Sequence, residues 1–300
     1  SAEYVLEEGP VNDWFEDAAV RYTAFAFAVG MFLFFWRVAT AKQPIVDLSA
    51  FRDRNFMTGS LFSFVMGIGL YGLTYLYPLY LARIRGYDSL RIGETVFVTG
   101  LFMFLAAPIV GMLSRKVDPR KLIFLGLLGF AISAFELTPI TEDWAFNELF
   151  FPQALRGVSL MMCMLPINSL ALGTLPPDRV KNASGLFNLT RNLGGAVGLA
   201  AINTILQRRT DIHASQLSEH VGWGSSVAVE RLSGIAASLR PALGDAADPV
   251  ALRRLGGMVS QQAAVMAYAD IFLLLAILFG SMILLVPLVQ RPRAAVAAAH

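Results

Sequence analysis

Residues 57–81 read MTGSLFSFVMGIGLYGLTYLYPLYL, without a single charged side chain. A bilayer core about 30 Å thick takes roughly 20 mostly apolar helical residues, because a helix satisfies its own backbone groups in lipid. The stretch is therefore predicted to be a transmembrane helix. Stretches 22–41, 92–113, 122–140, 149–175, 183–206 and 263–289 have the same character, which makes seven with the first. The predicted fold class is all-α integral membrane with seven transmembrane helices.

Composition agrees with that reading. Hydrophobic residues make up 56% of the chain and charged ones 15%, against about a quarter charged in soluble domains. The 24 basic and 22 acidic residues leave a net charge of +2, so no basic field points to nucleic acid. The lone cysteine, Cys163, lies in an apolar run and cannot form an intramolecular disulfide. Residues 1–17 are acidic and polar and carry no signal-peptide pattern. With an odd number of spans, this start suggests a fragment of a longer chain.

The distribution of charge orients the spans. One set of short connections holds Arg37, Lys42, Arg52, Arg54, Arg115, Lys116, Arg120, Lys121, Arg179, Lys181, Arg291 and Arg293. The opposite set holds Arg21, Arg83, Arg85 and Arg91. Twelve against four places the N-terminus outside and the C-terminus in the cytoplasm. The predicted organisation is an outer loop at 1–21, a helix at 22–41 and a cytoplasmic interfacial segment at 42–56. A six-helix bundle follows at 57–289, then a cytoplasmic tail at 290–300. Within the bundle, the long outer loop 207–262 is expected to hold amphipathic helices at 226–239 and 249–260, broken by Pro241 and Gly244. That loop is either a solvated cap or a docking surface.

Ionisable groups at membrane depth are expensive, so each is a functional candidate. Arg156 and Arg191 lie about two helical turns inside their spans. Asn188, Arg191, Asn192 and Gly195 recur at three- and four-residue spacings, giving the sixth span a polar face that cannot look at lipid. Glu136 and Asp270 lie about one turn from outer helix ends and are candidates for proton coupling or for a wet rim. Glu94 and Glu148 are expected simply to complement helix N-termini. Gly194, Gly195 and Gly198 allow another helix backbone to approach closely, as do Gly67, Gly69 and Gly72. Pro78, Pro108 and Pro166 can bend their helices. Bent, closely packed helices suit a molecule that rocks between states, and equally suit static packing.

No phosphate-binding glycine loop or zinc spacing occurs, and His213, His220 and His300 fall outside the predicted spans. No metal or other cofactor is expected, nor an enzyme. A membrane-embedded transferase would need histidine or paired acids near one bilayer face.

Several words then resemble a family. They are Trp14-Phe15 after Asp13, Pro44-Ile45-Val46-Asp47-Leu48 with Phe51-Arg52 and Asn55-Phe56, Leu175-Pro176-Pro177-Asp178-Arg179, and the run from Asn182 to Gly195. In this order they resemble the C-terminal half of the EmrB/QacA group of fourteen-helix drug:proton antiporters, of the major facilitator superfamily. The resemblance implies one linker helix plus a six-helix C-terminal bundle, with an N-terminal half missing. The loop from Gly111 through Arg115, Lys116, Asp118 and Arg120 is similar to the superfamily's cytoplasmic signature. It departs at Arg115, where an acid is usual, and at Asp118, where a glycine is usual.

The function so implied is export of hydrophobic or amphipathic small molecules by alternating access, driven by the proton gradient, across a bacterial inner membrane. Cavity contacts are expected from Tyr71, Tyr75, Asn168, Asn188, Arg191 and Asn192. A periplasmic adaptor and an outer-membrane channel are expected partners besides the lipid bilayer. A dedicated exporter of a lipid, siderophore or metabolite, or a non-transporting scaffold or sensor, remains the alternative.

Overall fold

A computed structural model describes residues 17–40, 48–220 and 226–289. Its α-helices are α1 (Ala18–Thr40), α2 (Arg54–Arg83), α3 (Ser89–Leu113), α4 (Pro119–Phe135), α5 (Phe146–Gly173), α6 (Pro177–His220), α7 (Ser226–Leu243) and α8 (Ala247–Ile283). Short 3-10 turns occupy Leu48–Arg52, Gly244–Ala246 and Val286–Leu288. The words at 13–15 and 44–47 and the tail 290–300 lie outside the described residues.

Helices α1 to α4 start on aspartate caps, Asp17 serving α1, and these satisfy amides that have no intrahelical partner. Asp53 accepts from the Phe56 amide at 2.8 Å, Asp88 from that of Arg91 at 2.9 Å, and Asp118 from that of Arg120 at 3.0 Å. Asp53 also accepts from the Thr174 hydroxyl at 3.0 Å, tying the start of α2 to the end of α5. Asp53→Ala is expected to cost about 1–2 kcal/mol and to lower the melting midpoint in detergent by a few degrees. An unchanged midpoint would show that the cap contributes nothing. Between α2 and α3 the chain turns at Gly86, whose φ of 64° favours a residue without a Cβ.

The helices pack around one aromatic and aliphatic core. Phe130 of α4 stacks on Phe279 of α8 with centroids 3.9 Å apart. Tyr77 and Tyr80 of α2 meet Phe272 and Tyr268 of α8 at 6.2 and 5.6 Å. Helix α2 lies against α5 and α6, α6 against α8, α8 against α4, and α5 against both α3 and α4. Outward-facing side chains such as Phe97, Phe104 and Ile109 on α3, or Phe25 and Phe32 on α1, are exposed and apolar. A bilayer is the solvent that suits them.

The helix boundaries correct four expectations. By length and composition, four of the described spans are apolar enough to cross a membrane, in α2, α3, α5 and the α7–α8 region. Helix α4 is only 17 residues long, about 26 Å, and the polar face of α6 lowers its hydropathy. The fourth span stops at Phe135 rather than 140, because Pro139 disfavours helical backbone before it. Glu136 therefore stands at the C-cap of the helix, exposed, and not one turn inside it.

The segment 207–262 also differs. Helix α6 runs unbroken to His220, and α8 begins at Ala247, so 249–260 is the N-terminal part of the last helix and not a separate one. Helix α7 continues through Pro241, which lies in its last turn, and the break falls at Gly244, with φ 54°.

Candidate functional site

Helices α2 and α6 approach backbone to backbone. A Cβ on Gly194 would run into the Phe64 carbonyl, and one on Gly67 into the Arg191 carbonyl. A Cβ on Gly195 would strike the Tyr71 ring, and one on Gly198 would lie 2.9 Å from the Ile68 Cα. These glycines bring the polar stripe of α6 alongside a matching stripe on α2.

Along that seam the polar side chains pair across helices. Arg191 donates from Nη2 to Asn168 Oδ1 of α5 at 2.9 Å and from Nε to Ser63 Oγ of α2 at 3.3 Å, with its guanidinium 5.5 Å from the Phe187 ring centroid. The Tyr71 hydroxyl donates to Asn192 Oδ1 at 3.1 Å, and that of Tyr75 to Asn203 Oδ1 at 2.8 Å. Tyr71 is 40% exposed, and Thr74, Asn188 and Asn192 are also exposed, so the stripe opens on one face of the bundle.

Arg156 stands behind that face, 1% exposed. It donates from Nη2 to the Leu70 carbonyl at 3.2 Å and to Thr74 Oγ1 at 2.9 Å, and lies 5.6 Å from the Tyr77 ring centroid. Its Nε and Nη1 are buried without a hydrogen-bond partner. Among the described residues, no carboxylate lies within ion-pair distance of Arg156 or Arg191. Neighbouring Gln153 bridges α5 to α3, donating to the Thr95 carbonyl at 2.9 Å and accepting from Thr99 at 3.1 Å.

Asp270 of α8 lies against the C-terminal half of α6, about five turns beyond Arg191. It accepts from Arg209 Nε at 3.2 Å and sits 2.8 Å from His213 Nε2, whose Nδ1 is buried without a partner. In the α3–α4 connection, Gly111 faces open space, and Arg115 and Lys116 are exposed. Asp118 there serves as the cap of α4, and Pro119 starts the helix. Among the described residues no group of three metal-ligating side chains comes together.

Ser63, Thr74, Asn203 and His213 were not singled out from the sequence. Asn203 follows Asn192 by eleven residues and Thr74 follows Ser63 by eleven, about three helical turns each, so both continue stripes already visible. The His213–Asp270 pair depends on α6 extending past 206, which hydropathy does not show.

The close-packed apolar helices thus carry a polar, aromatic seam along α2, α5 and α6. Residues 14–199 match the Major Facilitator Superfamily. The chain belongs to that family of multi-pass membrane transporters. It is 37% identical over 278 residues to the colistin resistance protein EmrB of Acinetobacter baumannii, covering 92% of this chain and 54% of that protein. Against the fatty acid resistance protein FarB of Neisseria gonorrhoeae the identity is 28%, over 95% of this chain and 54% of the relative. Against the multidrug export protein EmrB of Escherichia coli K12 it is 30%, over 74% and 43%. The chain thus spans about half the length of the curated relatives it matches.

Proposed function

We propose that this chain supplies the C-terminal half of a multidrug-type exporter. It would work by alternating access with a second bundle in a bacterial inner membrane, its N-terminus outside and its C-terminus in the cytoplasm. The observation that carries the reading is the exposed polar seam of α2, α5 and α6, where Tyr71, Asn168, Arg191 and Asn192 hold side chains that lipid would not solvate. A second bundle seated against this face would enclose it as a cavity, with substrate between the two. The relatives' names, multidrug export and resistance to colistin or fatty acid, support efflux as the activity.

The proton gradient is the proposed energy source. Asp270 is the carboxylate proposed to take part, because it lies within the bundle against both His213 and Arg209. Asp270→Asn in the full-length transporter is expected to reduce uncoupler-sensitive efflux by roughly tenfold, equivalent to about 1.4 kcal/mol in the rate-limiting step. Unchanged efflux would remove Asp270 from the coupling.

The outer ends of α6 and α8 form, with α7, a groove of about 380 Å³ lined by Val229, Leu232, Leu252 and Val259. Exposed Val227 and Leu252 beside it support a periplasmic adaptor, leading to an outer-membrane channel, as the partner. A toxic-compound susceptibility panel on cells lacking the full-length gene, with dye accumulation measured with and without an uncoupler, tests the exporter. Increased susceptibility with uncoupler-sensitive efflux supports it. No change across the panel favours a dedicated physiological substrate or a scaffold.

A further inference from the structure

We infer that the substrates recognised by this half carry an anionic head group, taken up at Arg191 and passed outward past Arg156. This inference rests on the exporter reading and names its substrate class. Within the bundle the fixed charges associated with the seam are both positive. Arg191 lies on it, half-buried, and Arg156 lies behind Thr74, which is exposed on the same face of α2. Among the described residues the carboxylates are placed elsewhere. Glu136 is at an exposed helix end, Asp53 and Asp118 cap helix starts, and Asp270 is already engaged by Arg209 and His213, about five turns further along α6.

A guanidinium held in a membrane bundle without a counter-ion is costly, and a bound anion removes that cost. Arg191 is prepared for it. Asn168 and Ser63 take one Nη2 hydrogen and the Nε hydrogen, and the Phe187 ring lies against the guanidinium, which fixes its plane. The remaining Nη hydrogens form a donor pair suited to a carboxylate, sulfonate or phosphate oxygen pair. Tyr71, 40% exposed, offers aromatic surface on the same face for an apolar body.

Arg156 repeats the chemistry further outward. Its contacts on α2, at Leu70 and Thr74, lie seven to eleven residues beyond Ser63, which places the two guanidiniums roughly 10–16 Å apart along the helix. Two unpartnered donors on Arg156 are satisfied when an anion arrives and Thr74 moves aside. With Arg191 on the face and Arg156 buried behind it, an anion meets two cations in series along α2. A permanent cation would be repelled at both stations.

The test uses the full-length transporter in everted proteoliposomes with an imposed proton gradient. Three probes share one ring system: naphthalene-2-sulfonate, (naphthylmethyl)trimethylammonium and naphthalene-2-carboxamide. The sulfonate is expected to accumulate about tenfold faster than the ammonium probe, the discrimination that about 1.4 kcal/mol provides. Arg191→Gln should abolish that preference, read as the ratio of sulfonate to ammonium rates within the variant, and Arg191→Lys should retain part of it. A melting curve for each variant separates misfolding from lost recognition. Equal rates for the two ions in the parent protein, or an intact anion preference in Arg191→Gln, would overturn the inference and leave the exporter standing. No gradient-driven accumulation of any probe, together with an unchanged susceptibility panel, would remove the exporter reading and this inference with it.

Discussion

Gly194→Leu is expected to separate α6 from α2 and to lower the melting midpoint in detergent by roughly 10 °C or more, a loss above about 3 kcal/mol. A side chain at position 194 meets backbone, the Phe64 carbonyl, and not the flexible end of another side chain. Nothing short of moving one helix can relieve that overlap. Moving it also withdraws Ser63 from Arg191 and Tyr71 from Asn192, so the seam opens together with the packing. Gly185→Ala, two and a half turns earlier on the same helix, serves as the control, because a Cβ there meets nothing within 4 Å. Its midpoint should stay the same or rise slightly, as replacing glycine inside a helix by alanine is favourable by up to about 1 kcal/mol. Equal midpoints for the two variants would mean that the approach of α2 and α6 does not support the fold.

Arg156→Met should have an opposite pair of effects. The side chain is buried, charged, and leaves Nε and Nη1 without partners, so an apolar residue of similar length relieves a standing cost. Replacing buried charge by well-packed apolar groups is neutral or stabilising by about 1–4 kcal/mol, and the midpoint should hold or rise by several degrees. Efflux, in contrast, should fall by more than about tenfold if the proposed passage of substrate past Arg156 holds. Thermal melting and uncoupler-sensitive efflux measured on one preparation read both effects. A variant that melts early would show that the Leu70 carbonyl and Thr74 depend on Arg156 for their satisfaction. One that transports normally would show that the charge has no part in the cycle.

How far the residues alone disclose this arrangement varies by feature, for physical reasons. The order and position of the helices follow from hydropathy, because lipid imposes one solution on an apolar run of that length. Helix ends are less legible. Leu137 and Ile140 prolong the apolar signal of α4 past its true end, and only Pro139 marks the stop, so Glu136 looked deeper than it is. In the outer segment the signal fails in the other direction. Residues 207–220 are polar, yet they continue α6 because helical backbone needs no lipid once a neighbouring helix covers one side. That continuation carries His213 to Asp270.

The polar seam was half legible. Arg191 and Asn192 stand out because charge and amide groups are rare in apolar runs. Ser63 and Thr74 do not, since small hydroxyl residues are common in membrane helices and bond their own backbone without comment. The three-way joining of Ser63, Asn168 and Arg191 is a property of how α2, α5 and α6 cross, which no single helix encodes.

Helix α6 has 44 residues and no proline after its first position, which makes it a rod of roughly 66 Å. Only about half of that length is needed to cross the bilayer core. The remainder is a lever arm continuous with the turns that bear Arg191 and Asn192. A tilt of about 10° at the membrane would sweep the tip of an arm of roughly 36 Å through about 6 Å, so in the proposed cycle a change at the seam would be passed mechanically to whatever holds the far ends of the helices. The same rod that lines the seam would thus work as its pointer.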